Sequence, residues 1–179
     1  MNARGLLRSE TREAHEALDA HFSQFDLSDA RDYGAFLLAH AAAFLPIEEA
    51  LTEAGAARLF PEWDGMVRAG WLVRDLEALG LEMPAPIAPP AFDSDAAIVG
   101  GAYVLEGSRL GGTVLRKAVG ADLPHDYLSH DPSLRWPEFV AQIERILKND
   151  VDRSQAVASA NAVFACFLRA ATAVEVGGA

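Results

Sequence analysis

Apolar residues return at i, i+3, i+4 and i+7 along almost the whole chain, and strand-like alternation is missing from the sequence. The pattern predicts an all-α protein. It places a first helix at about 6–25 and a second with Ser28 as N-cap and Gly55 as its stop. Pro46 should kink or split that second helix, because its ring removes a backbone donor and clashes with the preceding turn. Asp64 is expected to cap a helix running to Leu79. The four prolines of GLEMPAPIAPPAF (80–92) forbid regular structure and mark a connector. A long helix should start at Asp93 or Ser94 and reach about Val119. Beyond it the sequence predicts a loop through ADLPHDYLSHDPSLRW (121–136), then helices over 137–149 and 152–175.

One stretch of the long helix disagrees with its own pattern. YVLEGSRLGGTVLRK (103–117) keeps helical spacing yet carries Gly107, Gly111 and Gly112. Each interior glycine costs about 1 kcal/mol relative to alanine. At about 100° per residue, positions 107 and 111 lie about 40° apart, and 108 and 112 repeat the step one place round. Gly100 and Gly101 lead into them, so small residues form a bare strip. Along such a strip either another helix or a flat ligand can approach the backbone, and the adjacent glycines permit a kink.

The first helix carries a second unusual face. In LLRSETREAHEALDAHF (6–22), Arg8, Arg12, His15 and Asp19 fall on one line at steps of four and three, beside an apolar sector containing Leu7, Thr11, Ala14 and Leu18. Glu10, Glu13 and Glu16 occupy the far, solvated side. The line reads in two ways. It is a surface ion-pair ladder, or it is a ligand site. In the second reading neutral His15 binds a metal through one nitrogen while Asp19 takes the other N–H, and Arg8 and Arg12 meet anionic groups attached to what His15 holds. Iron in a porphyrin suits that set, with one axial imidazole and carboxylate tails needing cations.

Composition narrows the partners. At 179 residues and 51% hydrophobic content the chain is expected to form one domain, 1–179, with a single core. A formal net charge of −11 argues against a nucleic-acid partner, since affinity for a polyanion comes from Lys and Arg. The N-terminus lacks the apolar centre of a signal peptide and no apolar run approaches bilayer length, so the expectation is a cytoplasmic protein with no membrane partner. Cys166, in AVFACFLRAA, reads as a buried free thiol. His21, His40, His125 and His130 offer no compact ligand spacing, and HDYLSHD (125–131) reads as a solvated polar loop. Trp63, Trp71 and Trp136 are expected in the core or lining a pocket.

LRSETREAHEALD (7–19) and LEGSRLGG (105–112) together resemble the heme oxygenases, the first matching the segment with the axial histidine and the second the glycine-rich distal helix of the bacterial branch. The weaker PIEEAL (46–51), RAGWLVRDLEAL (68–79) and AVFACFL (162–168) follow in the family's order. The resemblance implies a helical bundle holding heme b between the first helix and a glycine-kinked distal helix. It implies His15 as iron ligand, Asp19 as its partner, and Arg8 and Arg12 near the propionates, with Arg145 or Lys148 as candidates for a further propionate contact. Gly107, Ser108, Gly111 and Gly112 would form the distal wall, and Phe164 would touch heme. Ser108 stands where mammalian relatives place an aspartate that anchors a water network, which is similar to bacterial members and leaves the organiser of that network open.

The activity implied is oxidative cleavage of heme to biliverdin with release of carbon monoxide and ferrous iron. It would use O2 and an external electron donor, a ferredoxin or a flavoprotein reductase, in a monomeric or weakly self-associating protein. Two other readings keep parts of the pattern: a heme carrier or sensor that does not turn over, and a silent helical interaction domain.

Overall fold

A computed structural model describes the backbone of residues 1–177 and the side chains of residues 1–174. The helices are α1 (Ala3–Glu10), α2 (Arg12–Phe22), α3 (Ala30–Glu53), α4 (Ala56–Leu59), α5 (Ala69–Ala78), α6 (Asp95–Leu115), α7 (Asp126–Ser129), α8 (Trp136–Ile146) and α9 (Asp150–Gly177). Single 3-10 turns lie at Trp63–Gly65 and Arg116–Ala118. The described residues contain no strand. The all-α expectation holds.

α3 is the central post. Tyr33, Phe36, Leu37, Phe44, Ile47 and Leu51 are fully buried along one face, and from Ala39 to Phe44 every residue is buried, so the middle of the helix is packed on all sides. α9 runs against α1, α2, α3 and α6, and it is the element that ties the two ends of the sequence together. Both α3 and the 150–174 part of α9 are long and apolar enough to cross a bilayer by length and composition. This corrects the expectation that no such run exists. In α3, 67% of the apolar window is buried inside the fold, and in α9 44%.

Several boundaries differ from the sequence reading, each for a physical reason. Pro46 neither splits nor ends α3. The carbonyl of Ala42 that it leaves without an intrahelical donor is taken by the Ile87 N–H at 2.7 Å, so the proline-rich connector docks on the very bond the proline vacates. The α3 cap is Asp29, which accepts from the amides of Arg31 and Asp32, while Ser28 turns back to Asp26. The first helix breaks at Thr11, whose hydroxyl donates to Leu7 O, giving α1 and α2. Asp64 sits inside a 3-10 turn and caps nothing; α5 begins five residues later, its first amides held by Glu48 of α3. The 121–136 segment is only partly a solvated loop: Tyr127 and Leu128 are buried in α7, and Asp75 accepts from the amides of Asp126 and Tyr127.

Candidate active site

α6 is hydrogen-bonded without a break from its Ser94 cap to Leu115, and its glycines divide by what faces them. A Cβ on Gly100 would collide with the backbone carbonyl of Ala156 in α9, and one on Gly101 would stand 2.6 Å from the Phe92 ring. These two serve close packing. Gly112 meets Leu128 at 3.4 Å. At Gly107 and Gly111 a Cβ would meet nothing within 4 Å. The bare strip read from the sequence is therefore two features, a packing notch near the α6 N-terminus and an open face about two to three turns later. On the other side of α6, buried Glu106 and Arg109 form a two-pronged ion pair, with Arg109 also donating to the carbonyls of Met66 and His130. That clamp fixes the rotation of α6 and so decides that Gly107 and Gly111 point outward.

His15 lies on α2, which packs on α9 as α6 does. Its Nδ1 is 3.0 Å from Asp19 Oδ2, one turn on, and both side chains are well exposed, 60% and 66%. With Nδ1–H donated to that carboxylate, the lone pair of Nε2 is the free one. The Phe164 ring of α9 stands edge-on to the imidazole at 5.8 Å, so α9 floors the space beside His15. Arg8 and Arg12 are exposed on the same line, Arg12 only loosely paired with Glu16 at 3.8 Å.

Two further groups flank the α6 glycines. Tyr103, one turn before Gly107 on α6, feels Arg4 and Arg8 of α1: burial pushes its phenol up and the two guanidinium groups pull it down. Tyr103 and Arg4 are not among the predicted site residues, because the influence of α1 on α6 depends on tertiary packing that spacing along the sequence does not encode. The α1 N-terminus is itself held by Glu144 of α8, which accepts from the amides of Ala3 and Arg4. Ser108 accepts from Arg68 at 2.8 Å, and the same nitrogen donates to Leu105 O. Arg68 is buried and its guanidinium lies over the rings of Phe44 and Tyr127, at 4.8 and 5.0 Å. Burial pushes Arg68 down from its ordinary value and Glu48, beneath it, up. Arg68 is thus a cation held beside the distal glycines by backbone, hydroxyl and aromatic faces.

The remaining candidates fall elsewhere. Arg145 lines a shallow groove on α8 with Glu62, Glu138 and Glu144, and Lys148 is exposed beyond the end of α8. Cys166 is a buried free thiol 3.6 Å from Ala88 O. No group of three His, Cys, Asp or Glu residues forms a metal cluster among the described residues. An imidazole with a free Nε2 on α2 and open backbone on α6, both helices packed on α9, would suit the two faces of a planar macrocycle that carries its own iron.

No protein-family model matches the chain. A heme oxygenase of Xanthomonas campestris is 33% identical over 147 residues, covering 78% of this chain and 88% of that one. Two solved structures share the fold. The NO- and CO-bound heme oxygenase of Neisseria meningitidis superposes with a TM-score of 0.82 at 21% identity, over 97% of this chain and 92% of that one. The heme oxygenase of Leptospira interrogans gives a TM-score of 0.73 at 18% identity, over 97% and 100%. An all-helical architecture shared along nearly the full length, with one-third identity to a named relative across most of the sequence, places this chain in the heme oxygenase family.

Proposed function

We propose that the protein cleaves heme b oxidatively to biliverdin, releasing carbon monoxide and ferrous iron, with O2 as oxidant and electrons from a ferredoxin or flavoprotein reductase. The observation that carries this reading is an Asp19-oriented imidazole on α2 together with two α6 glycines that face open space, both helices packing on α9. Heme supplies the iron that binds and activates oxygen.

The chain's own residues supply the rest. His15 Nε2 would hold the heme iron, and Asp19 fixes the imidazole's tautomer and ring direction. Neutral imidazole suits substrate oxidation, where a thiolate would push electron density toward O–O cleavage. Arg8 and Arg12, joined by Arg4 and the Tyr103 hydroxyl, offer the propionates charged and neutral donors. Gly107 and Gly111, with open space where a Cβ would stand, would let the α6 backbone approach a bound macrocycle and leave room for oxygen. Ser108 and Arg68 place a hydroxyl and a buried cation on that side, where they can order water and deliver protons. Burying the macrocycle's apolar faces, at about 25 cal/mol per Å2, offsets the helix-propensity loss at the glycines.

The test uses purified protein, hemin and a reductant. Hemin should give the Soret band of histidine-ligated heme, and ascorbate or a reductase should convert it to the broad red absorption of biliverdin. Binding without decay would make the protein a carrier or sensor, and no binding would leave a silent scaffold.

A further inference from the structure

His40 is a polar residue where apolar ones are expected. It lies in the middle of α3, 8% exposed, ringed by Phe22 at 4.7 Å, Phe36 at 4.4 Å and Phe167 at 5.7 Å between centroids. Its Nδ1 lies 3.3 Å from the Tyr127 hydroxyl. A histidine in such a cage must stay uncharged, and burial with the nearby Arg68 cation holds it down to about 3.

Its neighbours link it to α2, α9 and α7. Phe22 belongs to α2, two turns beyond His15, and Phe167 follows Phe164 by one turn on α9. On its other side Tyr127 lies under the Arg68 guanidinium, and Arg68 holds Ser108. A continuous chain of contacts thus runs His40, Tyr127, Arg68, Ser108, from the core around α3 to the glycine face of α6. Tyr127 has its backbone N–H fixed by Asp75, so its ring is anchored at one end only, and the His40 contact anchors the other.

We propose that His40 is a positioning residue for heme cleavage: through the Tyr127 hydroxyl it fixes the ring on which Arg68 rests, and so fixes the direction in which Arg68 presents its donors to Ser108 and the bound oxygen. The proposal rests on the oxygenase reading above. One nitrogen of Arg68 is directed by Leu105 O and Ser108 Oγ, while the tilt of the guanidinium plane about those bonds follows the aromatic faces it rests on. An uncharged imidazole serves this purpose without adding a second positive charge beside Arg68. Phenylalanine would fill the cage and leave the Tyr127 hydroxyl without its partner.

Two measurements test it. In the protein without heme, the 15N shifts of the His40 ring should report one neutral tautomer, and Tyr127→Phe should convert it to a mixture of tautomers. In the hemin complexes, His40→Phe and Tyr127→Phe should keep the wild-type Soret band while slowing biliverdin formation about tenfold, the scale of a small misalignment of a reacting group. The product should shift toward a mixture of biliverdin isomers, His40→Gln should recover part of the rate, and the double variant should be no slower than either single one. Tyr127→Phe removes one buried atom, so it carries the test if His40→Phe does not fold. A wild type that leaves hemin intact overturns the oxygenase reading and this proposal with it. A wild type that turns over, with Tyr127→Phe matching it in rate and isomer pattern, overturns the positioning role alone.

Discussion

His15 and Asp19 show how much one hydrogen bond can decide. The carboxylate 3.0 Å from Nδ1 selects the tautomer whose other nitrogen can bind iron. His15→Ala should abolish the Soret band of histidine-ligated hemin, and added imidazole should restore it by occupying the vacated place; optical titration checks both. Asp19→Asn keeps the shape but weakens the acceptor, and outer partners of this kind are worth about 10–100-fold in affinity or activity. Hemin titration should show a loss in that range, and an unchanged affinity would remove Asp19 from the site. These two residues were legible in the sequence because their relation is local, one turn apart on one helix. Arg68, Tyr103 and His40 were not, because each acts through partners at least 24 residues away in sequence or on other elements, and no periodicity encodes which helices adjoin.

Along α6 the same residue type does opposite work. Gly107→Ala adds a methyl to open space and removes a helix-interior glycine, so the protein without heme should gain about 1 kcal/mol. Gly100→Ala must push against the backbone of α9 and should lose about 1–3 kcal/mol. Denaturant melts of the two variants should move in opposite directions. Gly111→Phe should fold normally and fail to degrade heme, since the side chain would occupy the slot; normal turnover would displace the distal wall. The helical spacing revealed that these glycines share a helix. It could not reveal that Ala156 presses on one and nothing on another. The misplaced boundaries have a related cause: α5 and α7 are capped by Glu48 and Asp75 from distant segments, and α3 survives Pro46 because Ile87 supplies the missing donor.

For the whole molecule, burial of His40 makes stability depend on pH. The unfolded chain takes up a proton on His40 near 6.5, whereas the folded protein resists until about 3. Between those values the unfolded state binds more protons, so stability falls with acidification by up to about 1.4 kcal/mol per pH unit and levels off below about 3. Glu48 and Asp75, raised by burial, act in the opposite sense at the acid end. Comparing wild type with His40→Phe isolates the histidine: the variant's stability should decline less between 6.5 and 3, and parallel profiles would contradict it. Heme should act in the other direction, raising the melting temperature as its concentration exceeds the dissociation constant, because it binds the folded slot alone. Whether heme sits between α2 and α6 is decided by the crystal structure of the hemin complex. We expect iron bound by His15 Nε2 with the opposite macrocycle face against the backbone of Gly107 and Gly111. Iron held by another residue, or side chains packed between α6 and the porphyrin, would contradict the account.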